Sequence, residues 1–312
     1  MWPYSLVSIE AFTLQETDTA VRELSAPCYV VDHPKGQLRW DAGLPSEFAQ
    51  SNGWVVGEDG VANSLDETLA AQMDRLQLGF DMDTLEYVAF SHIHWDHVGA
   101  SGDVDSGTWL VQQGDYDAAH AEGNMNVPAV QPELLTAIKT MPTPVLRGDH
   151  DVFGDGTVRI IAAEGHTPGH QVLYVDLDET GPVVLSGDLY HFRYSRANRV
   201  VPLFNVDAEQ TLQSIDKVEA LVAEVGADFW LQHDASLFDS QQKAPNFYRS
   251  ARPTISRRAG ARDYGARNVP YLSVNLAKLP PACLAYGFTA IHSSSNDAPS
   301  ARPSAPMALR AG

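Results

Sequence analysis

Up to about residue 248 the chain is built of short apolar runs separated by polar turns, broken by two stretches of helical spacing. The runs predict strands at Leu6–Phe12, Cys28–Asp32, Gln37–Trp40, Glu86–Phe90, Thr108–Gln112, Thr157–Ala163, Gln171–Asp176, Pro182–Leu185 and Asp228–Leu231. In Leu65–Leu78 the residues Leu65, Leu69, Met73 and Leu76 share one helical face, with Asn63-Ser64 as the start signal. Asp207–Val225 is amphipathic with the same period, and Asp207 stands at its cap position. Strands alternating with helices predict an α/β fold. No repeat is visible.

Beyond Tyr248 neither period continues. Residues 249–312 are rich in Ser, Pro, Ala and Arg, which predicts a packed domain over 1–248 and a poorly packed basic tail over 249–312. Tyr271–Leu279 is the piece of that tail with the strongest claim to order. Charge divides at the same place: nine Lys/Arg against two Asp/Glu after residue 248, twelve against thirty-eight before it.

Composition narrows the function. With 312 residues, 44% of them hydrophobic, the chain can bury a large core. A net charge of -19 repels phosphate backbones and anionic lipid, so nucleic acid and membrane surfaces are excluded as partners. Cys28 and Cys283 are the only cysteines, which excludes a disulfide framework and an all-thiolate metal site. No apolar run is long enough to span a bilayer. Met1–Tyr4 shows no signal-peptide pattern, so a cytoplasmic location is the expectation.

The chemistry concentrates in Ser91-His92-Ile93-His94-Trp95-Asp96-His97. His92 and His94, two apart at the end of a strand, point the same way; Asp96 and His97, on the turn that follows, point elsewhere. One short segment can therefore serve two metal ions from two directions. Three later residues each follow an apolar strand: His166 in Gly165–His170, Asp188 in Leu185–Asp188, and His233 in Trp230–Asp234. Strand ends on a rigid sheet are where such folds place their sites.

These signatures, in this order over residues 5–245, resemble the metallo-β-lactamase superfamily of metallohydrolases. The resemblance implies a four-layer αβ/βα sandwich. It implies that His92, His94 and His166 hold one metal, that Asp96, His97 and His233 hold the other, and that Asp188 bridges them. Imidazole and carboxylate donors without thiolate suit two Zn²⁺ ions, with Fe, Mn or Co able to substitute. The best-known zinc β-lactamases carry Cys where Asp188 stands, which argues against that activity here. His170 reads as a supporting residue rather than a ligand. Asp41, in Trp40–Gly43, matches the family's early Asp-x-Gly, where it would orient a ligand histidine.

Two metals sharing a water bring it to hydroxide near neutral pH, poised to attack a carbonyl. Asp96 or a nearby acid returns the proton. Within the superfamily, Ser186–His191, Leu203–Asp207 and Gln232–Asp234 look most like the N-acyl homoserine lactone lactonases, the quorum-quenching enzymes that open the lactone ring. Those enzymes commonly place a tyrosine three residues after the bridging aspartate, where it contacts the substrate carbonyl. Here that position is His191, flanked by Tyr190 and Tyr194, so the substrate donor is expected among these three. A neutral lactone needs no basic clamp, and Arg193, Arg196 and Arg199 read as a solvated face. Trp2, Tyr4, Trp54, Trp95 and Phe192 are candidates for an acyl pocket, Trp95 foremost. The alternatives are an organophosphate or aryl-ester hydrolase, a thioesterase on the same site, and a metal-binding protein without turnover. Members of the family are often homodimers, an expectation the resemblance carries with it.

Overall fold

A computed structural model describes residues 3–5, 9–51, 53–56, 61–76, 85–103, 106–121, 127–177, 179–244, 246–249 and 271–274. The chain forms two units, Met1–Lys278 and Leu279–Gly312, of which the second lies outside the described residues. So does most of the expected 249–312 tail, and so do Cys283 and Trp2.

Two sheets dominate the first unit. The larger runs in the order Tyr248–Arg249, Tyr271–Val274, Tyr29–His33, Gly36–Trp40, Tyr87–Ala89, Thr108–Gln112 and Val145–Leu146. Its last four strands are parallel. The smaller runs His150–Asp151, Val158–Ala162, Gln171–Val175, Val183–Leu185 and Asp228–Trp230, with only the last pair parallel. A separate four-stranded patch joins Pro3–Ser5, Glu23–Ser25, Val55–Val56 and Ala62–Asn63.

Alternation along the strands sorts side chains into layers. Val31, Leu38, Trp40 and Leu110 of the larger sheet meet Ile160, Leu173, Leu185 and Trp230 of the smaller in one buried cluster. The intervening residues face outward. Val30, Val88 and Trp109 pack on Leu69 and Met73, and Ile161, Val172, Val184 and Phe229 pack on Ile215, Val218 and Val222 of the helix Ala208–Val225. Helix, sheet, sheet, helix is the expected four-layer sandwich. No helix among the described residues is long and apolar enough to cross a membrane.

Asp207 caps the long helix as expected, its carboxylate accepting from the Gln210 N–H at 2.9 Å. Gly226 ends it at φ +65°, its N–H on the Val222 carbonyl. Replacing Asp207 with Ala should lower unfolding free energy by about 1 kcal/mol in a denaturant titration, because one orphan N–H loses its acceptor.

Two expectations need correcting. Leu6–Phe12 is not a strand: Leu6–Ser8 lies outside the described residues, and Glu10–Phe12 is a 3₁₀ turn. Ile9 and Phe12, three apart, both bury while Glu10 and Ala11 face out, which is the 3₁₀ period. The helix expected from Leu65 starts at Leu69. Asn63 belongs to a strand, and Thr68 supplies the cap, its hydroxyl accepting from the Ala71 N–H at 3.2 Å. Residues 77 and 78 fall outside the described part.

Candidate metal centre

Strand register sets the site. Trp40, Ala89 and Leu110 lie level in the larger sheet, and Leu185 and Trp230 lie level in the smaller. The segments leaving these ends, Asp41, Ser91–His97, Gly187–His191 and Gln232–Asp234, therefore emerge at one edge of the sandwich. His166 arrives on the turn between Val158–Ala162 and Gln171–Val175.

There, ligand atoms of His92, His94, His166 and Asp188 lie within 4.8 Å of one another, and so do those of Asp96, His97 and His233. All seven residues are buried. Asp188 divides itself between the groups. Its Oδ2 is 3.5 Å from His92 Nε2 and 3.2 Å from His166 Nε2. Its Oδ1 is 3.0 Å from His97 Nε2 and 2.8 Å from His233 Nε2. Asp96 Oδ2 stands 3.8 Å from the same two nitrogens. The segment 92–97 thus divides as its spacing predicts, two side chains to each group.

Outer partners fix which nitrogen of each ring faces inward. His233 Nδ1 donates to the Ser25 carbonyl at 2.7 Å, and His166 Nδ1 to Asn205 Oδ1 at 2.9 Å. His97 Nδ1 donates to Asp41 Oδ2 at 3.0 Å. His92 Nδ1 lies 3.0 Å from Ser91 Oγ. With protons assigned to the outward nitrogens, the Nε2 lone pairs of these four rings converge on the interior. Nε2 of His92 and of His94 is buried without a hydrogen bond. A nest of inward nitrogen lone pairs around one carboxylate is what divalent cations require and what a folded chain avoids otherwise.

Electrostatics separates the rings: burial opposes charge on His97 and His233, but Asp188 outweighs it and holds both above the ordinary imidazole range. Burial, then the neighbouring His97, holds the His92 imidazole well below its ordinary range; burial and His166 do the same for His94. Both shifts favour the neutral imidazole, the form that binds metal. Burial opposes charge on Asp188, but His233, His97, His191 and His92 outweigh it and keep the carboxyl well below its usual range.

The supporting shell holds Asp41 and His170, both expected in such roles, and Gln232, whose role the sequence leaves unread. Asp41, fully buried at φ +58°, accepts from the Ser91 N–H at 2.6 Å and from Gln232 Nε2 at 2.7 Å in addition to His97. Gln232 Oε1 in turn accepts from Trp40 Nε1 and from the Gly187 N–H. His170 takes no ligand position. Its Nδ1 donates to the Ala163 carbonyl, and its Nε2 accepts the Asp188 backbone N–H at 2.9 Å.

The three substrate-side candidates separate. His191 joins the site, with Nε2 3.0 Å from Asp188 Oδ2 and its ring stacked parallel on His233, centroids 5.2 Å apart. Tyr190, expected as a catalytic candidate, does not. Its backbone is extended, so successive side chains point oppositely. The Tyr190 ring sits in the outer cluster beside Phe229, its hydroxyl on Glu219. Tyr190→Phe should leave kcat within about twofold and cost about 1 kcal/mol of stability, read by steady-state kinetics and denaturation. Tyr194 borders a cleft of about 780 Å³ that reaches His191, Phe192, Asp234 and the Asp18–Glu23 segment. Trp95 is half-buried against Phe48. The three arginines are each paired: Arg193 with Asp234, Arg196 with Glu219 and Arg199 with Asp216.

The sequence model of the metallo-beta-lactamase superfamily matches residues 21–225. Among curated relatives, N-acyl homoserine lactonase AttM of Azorhizobium caulinodans is 29% identical over 240 residues, 72% of this chain and 88% of that protein. N-acyl homoserine lactonase AiiA of Bacillus thuringiensis subsp. kurstaki is 26% identical over 226 residues, 70% of this chain and 85% of that protein. The solved N-acyl homoserine lactone hydrolase with N-hexanoyl-L-homoserine bound at its catalytic metal center superimposes with a TM-score of 0.64 at 24% identity, over 78% of this chain and 94% of that one, a likeness of fold.

Proposed function

The chain belongs to the metallo-β-lactamase superfamily, and from that membership we propose that it is a metal-dependent hydrolase opening the lactone ring of N-acyl homoserine lactones. The observation that carries the reading is Asp188, one carboxylate whose two oxygens each face two imidazole nitrogens. The substrate class comes from the relatives named as lactonases.

His92, His94 and His166 would hold one divalent cation, and Asp96, His97 and His233 the other, with Asp188 shared; zinc suits the donors. Bound there, such a pair ionises water near neutral pH and polarises a carbonyl. The chain's own residues do the rest. Asp96 Oδ2, at the rim of the second group, takes the proton released as water adds to the lactone carbonyl. It returns that proton to the ring oxygen as the C–O bond breaks, giving the hydroxy acid. The cleft beside His191 receives the acyl chain. Its two lining arginines, Arg22 and Arg193, are already paired with Glu16 and Asp234, which suits a neutral substrate.

The test is a substrate panel on metal-loaded full-length protein: an N-acyl homoserine lactone, a paraoxon-type phosphotriester, an aryl ester and a glutathione thioester. Lactone opening should dominate, stop in chelator and return with Zn²⁺, with two metal equivalents by elemental analysis. Turnover of another substrate without the lactone overturns the substrate class. Activity that survives complete metal removal overturns the mechanism.

A further inference from the structure

One buried carboxyl behind the site takes no part in that scheme. Asp115 lies in the first turn of the helix Gln113–His120 and is 1% exposed. Its Oδ2 accepts from Thr167 Oγ1 at 3.0 Å, and its Oδ1 from the Gly169 N–H at 2.7 Å. The Ile93 N–H lends a further hydrogen bond. Thr167 follows His166 directly, and Ile93 separates His92 from His94. The carboxyl therefore ties together the two loops that carry the first three imidazoles. None of these bonds involves Asp96, His97 or His233. Helix and loop also meet backbone to backbone. A Cβ on Gly114 would fall 2.2 Å from the Pro168 carbonyl oxygen, and one on Gly169 2.4 Å from the Asp115 nitrogen. Glycine at both places allows this close approach. Burial pushes the Asp115 carboxyl up to about 7, while the Thr167 and Gly169 hydrogen bonds pull it down. Burial works against a carboxylate here, and its hydrogen bonds to the two loops are what offset that cost.

We propose that Asp115 is the positioning residue of the first ligand group: by gripping both loops it sets the spacing of His92, His94 and His166 and governs how tightly that group holds its cation. The proposal rests on the two-group reading of the nest. Asp115 touches no cation and no substrate, and acts through the backbone on either side of the ligands. Asp41 holds the corresponding place beside His97 in the second group. The two carboxylates thus divide the nest as its ligands do, and the two cations are held by separately adjustable supports.

The test titrates metal-free full-length protein with Zn²⁺ against a chromophoric chelator, which resolves two binding steps. Asp115→Asn keeps the shape, removes one accepting oxygen and removes the charge that burial opposes. One step should weaken by about 10–100-fold, the usual cost of a lost outer partner, while the other stays within about twofold. Thr167→Val, which deletes a single donor, should weaken the same step by about 2–10-fold and serves alone if the Asn variant does not fold. A His166→Ala background identifies the step. There the first group is broken, and adding Asp115→Asn should leave the affinity of the remaining group unchanged. Two steps weakened alike, or a further loss in the His166→Ala background, would make Asp115 a general structural residue and overturn the proposal. So would two unchanged steps in both single variants. A wild-type protein that takes up only one Zn²⁺ sinks the two-group reading and this proposal with it.

Discussion

Asp188→Asn should abolish function, with kcat/KM down roughly a thousandfold or more and the protein still folded by circular dichroism. The substitution keeps shape and removes charge. Oδ2 now serves one group of imidazoles and Oδ1 the other, and an amide cannot anchor two cations at once. Its NH₂ would also donate to inward imidazole lone pairs and compete with metal for them. Elemental analysis should show fewer than two metal equivalents, and isothermal titration should show the weakened site directly. An Asn variant that keeps both metals and full activity would refute the bridging role.

The second large effect is expected well outside the ligand set. Asp41→Ala strands the Gln232 amide, the Ser91 N–H and His97 Nδ1 together, each buried. Metal affinity should fall by 10–100-fold, the usual cost of losing an outer partner of a ligating imidazole, and stability by several kcal/mol. Asp41→Asn should be milder on the backbone, since Asn also tolerates the φ of +58° found there. It still places an NH₂ or a single carbonyl against several donors, so metal affinity should drop while the melting temperature changes less. A competition titration with a chromophoric chelator measures the first quantity and thermal denaturation the second. Equal, small changes in both variants would show that Asp41 does not orient His97.

Much of this was legible because apolar runs mark strands and the motif sits where strands end. Gln171–Asp176, observed as Gln171–Val175, and Thr108–Gln112 are readable as apolar runs, and Asp207 from its place before a periodic stretch. What escaped depends on partners far away in sequence. The Ser25 carbonyl holds His233, 208 residues on, and a backbone oxygen leaves no trace in residue type. Asn205 looks like any loop asparagine until the turn carrying His166 is folded against it. The direction of Tyr190 was hidden for another reason: one extended residue after a 3₁₀ turn decides which of two neighbours faces the site. Helix starts failed at Leu65 because buried spacing continues through a non-helical approach to the first turn.

Donors reach the nest from both halves of the sandwich: the 92–97 segment from the larger sheet, His166, Asp188 and His233 from the smaller. Cations seated there would act as rivets across the seam. Catalytic competence and mechanical integrity then share one ledger entry, since ions that bind only the assembled halves add about 2.7 kcal/mol each when present at a hundred times their dissociation constant. Scarcity of metal would thus loosen the very architecture that gathers it, and supply would restore both together.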